Sequence, residues 1–435
     1  MIHKCHLLKR GIAVLVFAAA TITSTTAIAG TAVYVADVEQ LYAAVNDPVN
    51  AGATVVLAPG IYSLSSKDPA NIARPNGGRL DLQQDMSLYG VAGDRAAVVI
   101  DAAALPQSSF TVPFGRTGVI RTGRGSNAVE WLTIAGNPLA AAAVETDLVS
   151  TPEVHIRVAH VVAGNSARGV DIRNVTATMA GRRIDAEIVD GEFFRGVEGI
   201  RVINFMGADD GDISVVMSGN RSYENVLGCI FENNRSSRAT IYVRSSGDRF
   251  ENNWLGCQIG GGLVTTTAGA ANSNSVVFEA HGTHFINNTS TTIYNDTGPT
   301  FTDFGGLLVV GGDALARANT TSHNTVTVRL WGCRVAENSS PLRDPPGIDF
   351  AAFGARSGDA SGIAGIDNHV TIELHGVSKQ VDVVAVDSVP VDLSGSNTVT
   401  VCFVRPAPND RAPLRDANGR SQSSSCRGNI EKANR

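Results

Sequence analysis

The sequence predicts an all-β chain wound as a parallel β-helix, and three observations carry that prediction. Glycines 136, 164, 191, 219 and 247 are 28, 27, 28 and 28 residues apart, and each closes a similar segment: Ile134-Ala-Gly-Asn, Val162-Ala-Gly-Asn, Val189-Asp-Gly-Glu, Met217-Ser-Gly-Asn and Ser245-Ser-Gly-Asp. A fixed period in the twenties marks a solenoid, whose units bury their apolar faces only against their neighbours. Before the glycines, apolar residues alternate strictly, as in Ile213/Val215/Met217, Val326/Val328/Leu330 and Val370/Ile372/Leu374. That is the period of a half-buried strand. After the glycines the match continues: Arg195-Gly-Val-Glu-Gly-Ile aligns with Glu224-Asn-Val-Leu-Gly-Cys and Asn252-Asn-Trp-Leu-Gly-Cys. A strand, a turn and a second apolar run in each unit describe one coil of a β-helix. No segment shows the 3.6 period of helical repeats.

Taken from the N-terminus, the first element is a leader. Lys4, Lys9 and Arg10 precede the apolar stretch 11–20, and Ala27-Ile-Ala29 places small residues before a cut after Ala29. Residues 1–29 therefore read as a signal peptide of bacterial type, which implies a secreted or periplasmic chain with no membrane span. The leader holds three positive charges and no acid, so its removal takes the net charge from −6 to −9. That balance argues against a nucleic-acid partner.

Next, Asp37-Val-Glu-Gln40 is a capping-box pattern that opens a short helix with Leu41, Ala44 and Val45 on one face. This helix is expected to plug the open end of the solenoid. The coils continue past Gly247 at wider spacing, to Gly282, Gly332 and Gly376, so loops are inserted between them. Asn233-Asn234, Asn252-Asn253, Asn287-Asn288 and Asn338 are expected to form amide ladders at the turns. Residues 405–435 are polar and read as a loosely covering or disordered tail.

Five cysteines follow the leader: Cys229, Cys257, Cys333, Cys402 and Cys426. An odd number leaves at least one free thiol. Cys229 and Cys257 occupy equivalent places in adjacent units and should stack about 4.8 Å apart, either as a thiol ladder or as a disulfide. Cys402 and Cys426 could tie back the tail.

Val38-Glu-Gln-Leu-Tyr-Ala-Ala-Val45 followed by Gly52-Ala-Thr-Val-Val-Leu-Ala-Pro-Gly-Ile-Tyr62, with Leu82–Gly90 and Val98-Val-Ile-Asp101, resembles the entry into right-handed parallel β-helices of the pectin-lyase-like superfamily. The resemblance extends over residues 30–404 and implies a right-handed solenoid. It implies a polysaccharide-directed role of either of two kinds, a lyase or glycoside hydrolase, or a non-catalytic surface solenoid. The standard pectinase motifs are absent. Trp131, Trp254 and Trp331 are not followed by the Asp-His of the pectate-lyase pattern, and Arg411-Ala-Pro-Leu-Arg415 is one residue short of the Arg-x-Pro-x-x-Arg element. Asp209-Asp210 and His281-Gly282 are faint echoes of the polygalacturonase set, without its Arg-Ile-Lys element.

The candidate ligand face is a stripe. Alternation along the strands turns Tyr242, Arg244, Glu279, His281, Arg329, Trp331, Glu373 and His375 outward. Trp and Tyr faces stack on sugars, and Arg and Glu bond to hydroxyls or carboxylates. The expected partner is thus an extended polysaccharide or cell-surface glycan. A ladder of ion pairs that merely keeps a sheet soluble is the competing reading. A second candidate is the acidic run Asp209, Asp210 and Asp212, downstream of Arg195 and Arg201. These three carboxylates offer a catalytic centre or a Ca²⁺ site, the latter being the one cofactor the sequence suggests, and a solvated turn is the alternative. Asp185, Glu187, Asp190 and Glu192 have acid–base chemistry but no spacing that marks a site.

Overall fold

The computed structural model describes residues 30–112, 115–146, 152–175, 181–264, 269–289, 305–314, 319–339, 349–357, 365–377, 383–389, 396–404, 414–415 and 421–422. Residues 1–29, on which the leader expectation falls, Cys426 and most of residues 405–435 lie outside the described residues.

Each regular coil has three strands. One coil runs Asp212–Ser218, Arg221–Tyr223 and Leu227–Asn234, and the next runs Thr240–Ser246, Arg249–Glu251 and Leu255–Val264. Stacking of coils aligns the first strands as a long face, the second as a short face and the third as a back face. Neighbours on all three are parallel; the long and short faces are in unbroken register, and the back face shifts once, between Glu232 and Asn234. The architecture is a right-handed parallel β-helix, the hand that parallel strand–connection–strand units adopt.

Alternation decides the core. Ile213, Val215, Ile241, Val243, Val326 and Val328 point inward and are at most 1% exposed. Phe250 lies on Phe285 one coil away, with ring centroids 5.3 Å apart. At the open N-terminal end sits the helix Val38–Asn46, which buries Leu41, Tyr42, Ala44 and Val45. Asp37 caps it by accepting from the Gln40 N–H at 2.8 Å, and Gln40 accepts from the Ala36 N–H at 2.9 Å. Tyr42 was not expected on the buried face; its hydroxyl reaches the Gly78 carbonyl at 2.6 Å, which satisfies the polar end of a buried ring. Cys229 and Cys257 pair across adjacent back-face strands as a disulfide, with Cα atoms 4.6 Å apart. Cys333 is a buried free thiol, and burial pushes its pKa up to about 11.

Two expectations are corrected by the register. Gly219 stacks on Asp190, not on Gly191, because Ile188 and Val189 pair with Met217 and Ser218. Gly164 pairs with Phe194 on the short face. The turn after the long face requires one residue with positive φ. Gly219, Gly247, Gly282, Gly332 and Gly376 meet this requirement in five coils, but Trp131 (φ 59), His160 (φ 56) and Asp190 (φ 47) meet it in three earlier ones. Counting glycines therefore slipped where the turn residue is not glycine.

The asparagines are the second correction. Asn233 and Asn234 end a back-face strand and are not part of the turn ladder. That ladder runs Asn225, Asn253, Asn288 and Asn338. Each buried side chain accepts from the preceding member's backbone N–H at 3.0–3.1 Å. A second ladder, Asn274, Asn324, Asn368 and Asn397, follows the back face by the same rule.

Candidate functional site

The long face brings the predicted stripe together. Arg244, Glu279, Arg329 and Glu373 pair in register on successive coils, as do Ser246, His281, Trp331 and His375. Glu279 is the hub of the first row. It accepts from the Tyr242 hydroxyl at 2.6 Å and from Arg329 Nη1 at 3.0 Å, with Arg244 3.9 Å away. Arg329 also reaches Glu373 at 3.4 Å, and Glu373 lies 3.3 Å from His375 Nε2. The Tyr242 hydroxyl first, then Arg329, hold the Glu279 carboxyl below its ordinary range. It therefore stays ionised near neutrality and is no proton donor.

In the second row the rings of His281, Trp331 and His375 stack, with centroids 4.4 and 5.2 Å apart. Both faces of the Trp331 indole are consequently covered, and the surface presents ring edges. The expected stacking of a sugar on the Trp331 face is not available in this arrangement.

The acidic run is dispersed. Asp209 accepts from the Ser237 N–H at 2.8 Å, Asp210 takes both arms of Arg238 at 2.7 and 2.9 Å, and Asp212 accepts from the Thr240 hydroxyl at 2.8 Å. Each carboxylate binds the coil above it, so the three are rungs and not a converging centre. Arg195 goes to Glu224 and Arg201 to Asp171, neither to the run. Among the described residues, the group with ligand atoms within 4.8 Å of one another is Glu153, His155 and Asp185. Arg183 lies 3.1 Å from Asp185 there, which sets a fixed positive charge against any cation. Glu187 is held by Arg157.

The back face carries a polar row that the sequence reading passed over. Asp81, Arg121, Glu145, Asp171 and Arg201 share one register position on successive coils. Arg121 reaches Glu145 at 3.0 Å, Arg173 reaches Glu145 at 2.8 Å, and Arg201 grips Asp171 through two bonds of 2.8 and 2.7 Å. Glu145 and Asp171 are fully buried. Burial alone would raise the Asp171 carboxyl, but Arg201 and Arg173 hold it far below the usual range. Beyond this row stands Glu232, 4% exposed, whose pKa is raised to about 7 by burial and then by Glu198. The signal that would have found this row is charge at alternate positions of strands such as Arg168–Val175 that are otherwise apolar.

One more cluster sits at the corner between the long and short faces. Trp131 and His160, on adjacent coils, are stacked with centroids 3.8 Å apart. His160 Nδ1 lies 2.9 Å from Asp190 on the next coil. All three have positive φ, which is rare for a residue as large as Trp and costs about 1–3 kcal/mol at each such position.

These features define a parallel β-helix with an outward stripe of charges and rings. No protein-family model matches the chain, and no curated protein is similar to it. Solved structures resemble it at low identity. The Azotobacter vinelandii mannuronan C-5 epimerase AlgE4 A-module is 15% identical, with a TM-score of 0.42, over 84% of this chain and 100% of that one. The corresponding AlgE6 A-module is 16% identical, with a TM-score of 0.36, over 85% and 95%. Pectate lyase Pel9A is 12% identical, with a TM-score of 0.31, over 85% and 79%.

Proposed function

We propose that the chain is an exported protein that binds an extended polysaccharide along its long face. The observation that carries this reading is the register of the stripe: a row of alternating guanidinium and carboxylate runs beside a row of ring edges, both straight along the solenoid axis. Coils repeat about every 4.8 Å, so a linear polymer lying along them meets a guanidinium and a carboxylate in alternation, one charged group at each step. Many weak contacts at fixed spacing add through effective concentration. The hydroxyl-rich glycan accepts from Arg244 and Arg329 and donates to Glu279 and Glu373. Tyr242 and Arg329 hold Glu279 ionised, so on this face it serves as an acceptor for hydroxyls.

The test is affinity electrophoresis of the full chain, with its disulfide intact, through gels containing neutral or uronic polysaccharides. The same samples are assayed for unsaturated products and reducing ends, with and without Ca²⁺. Retardation that weakens several-fold in Arg329→Ala and Glu373→Gln supports the reading. Equal mobility of wild type and variants in every gel removes it, and new reducing ends would replace binding by cleavage.

A further inference from the structure

The corner after the long face holds one register position at positive φ in coil after coil: from Asp190 to Gly332 it opens a two-residue turn, and at Trp131 and His160 the strands Gly125–Ala135 and Glu153–Gly164 run through it. Five coils place glycine there, the residue that adopts this conformation without strain. Three consecutive coils near the N-terminus instead place Trp131, His160 and Asp190. These side chains do not serve the core: Trp131 is absent from the buried apolar cluster, and Asp190 and His160 keep 57% and 23% of their side-chain surface. They do serve one another. The carboxylate of Asp190 fixes Nδ1 of His160 as the protonated nitrogen, which leaves Nε2 as a free acceptor in the neutral ring. Trp131 lies flat on the other side of the same imidazole. The position stacked before Trp131 is Gly90, so no side chain from the turn column covers the second face of the indole. In this respect it differs from Trp331, which has a histidine on each side.

The corner also has a wall. In the coil of Gly90 the two-residue turn is replaced by the eight residues 90–97, between the strands Ser87–Tyr89 and Val98–Asp101. From this loop Arg95 donates to the Asp190 carbonyl at 2.9 Å and pairs with Glu192, three coils away. Its own carbonyl accepts from Thr133 at 2.9 Å.

We infer that Trp131, His160 and Asp190, bounded by Arg95 and the 90–97 loop, form a saccharide-binding subsite separate from the stripe, one that takes a single pyranose unit. An indole beside an oriented imidazole matches a pyranose, which presents a face of C–H bonds for the ring and hydroxyls for Nε2. Glycine in this turn would be the easier choice for folding, and departures from local preference in three successive coils mark a place selected for something else.

The test uses isothermal titration of the full chain with a panel of neutral (gluco-, galacto- and manno-) and uronic oligosaccharides, alongside thermal melts. Trp131→Gly and His160→Gly each restore the residue the turn prefers. The expected result is binding of at least one panel member by wild type, affinity lowered at least tenfold in both variants, and a Tm that is unchanged or raised. Asp190→Asn should lower affinity less, by loosening the imidazole. Arg329→Ala should leave this affinity unchanged, which separates the subsite from the stripe. The inference is overturned if no panel member binds wild type, if both glycine variants bind equally well, or if their Tm falls by several degrees, since the rings would then be packing.

Discussion

The indole of Trp331 lies flat against the imidazole of His281, with ring planes 5° apart, and His375 covers its opposite side. The stack spans three coils and joins them mechanically. Each such contact is worth about 0.5–1.5 kcal/mol beyond the area buried. Trp331→Ala is therefore expected to lower stability by about 1–3 kcal/mol, measurable by urea melts. Unchanged stability would mean the rings are independent.

Glu232 should make stability fall as pH rises. Its folded pKa of about 7 lies above the ordinary 4.5, so the folded chain holds its proton more tightly than the unfolded one. The contribution is complete below about pH 4.5 and is lost as pH rises through about 7. Glu232→Gln keeps the protonated form's hydrogen-bonding capacity. It should raise stability at pH 8 by at most about 3 kcal/mol and change little at pH 4. Melts at both pH values check this; a uniform effect would show that the carboxyl is not titrating.

Cys229 and Cys257 should resist alkylation until reduced, while Cys333 should react only after denaturation because it is buried. Mass spectrometry with and without reductant reads both. Reduction should cost about 3–4 kcal/mol for a loop of this length.

Asn288 makes four ladder bonds: it donates to the Phe250 carbonyl and to Asn338, and it accepts twice from Asn253. Asn288→Ala should cost about 2–4 kcal/mol by leaving these buried groups unpaired. A substitution on the exposed side of the neighbouring coil's equivalent turn, Asn252→Ser, should cost less. The comparison of the two melts is the check.

The strands were legible because alternation is a local property. Val326/Val328/Leu330 says which side is inward whatever the neighbours do, and the stripe followed from the same count. Turn positions were less legible. A backbone that demands positive φ is announced by Gly219 or Gly247 but concealed by His160 and Trp131, so the first units were read one or more residues out of place. The charge assignments were the least legible. Asp209, Asp210 and Asp212 adjoin in sequence yet bind separate partners, whereas Asp171 and Arg201 are 30 residues apart and form a two-bonded pair. Adjacency across coils, not along the chain, sets the electrostatics, and it appears only once the register is known.

The turn ladder has a consequence of its own. Its successive members are separated by 28, 35 and 50 residues along the chain, yet each bonds to the next in the same way. The asparagines act as pegs on a rack: they set where each coil must lie and are indifferent to how much chain hangs between them. Such a scaffold can take long grafts between pegs without losing its pitch, and new loops can be tried on one rung while every other rung stays as it was.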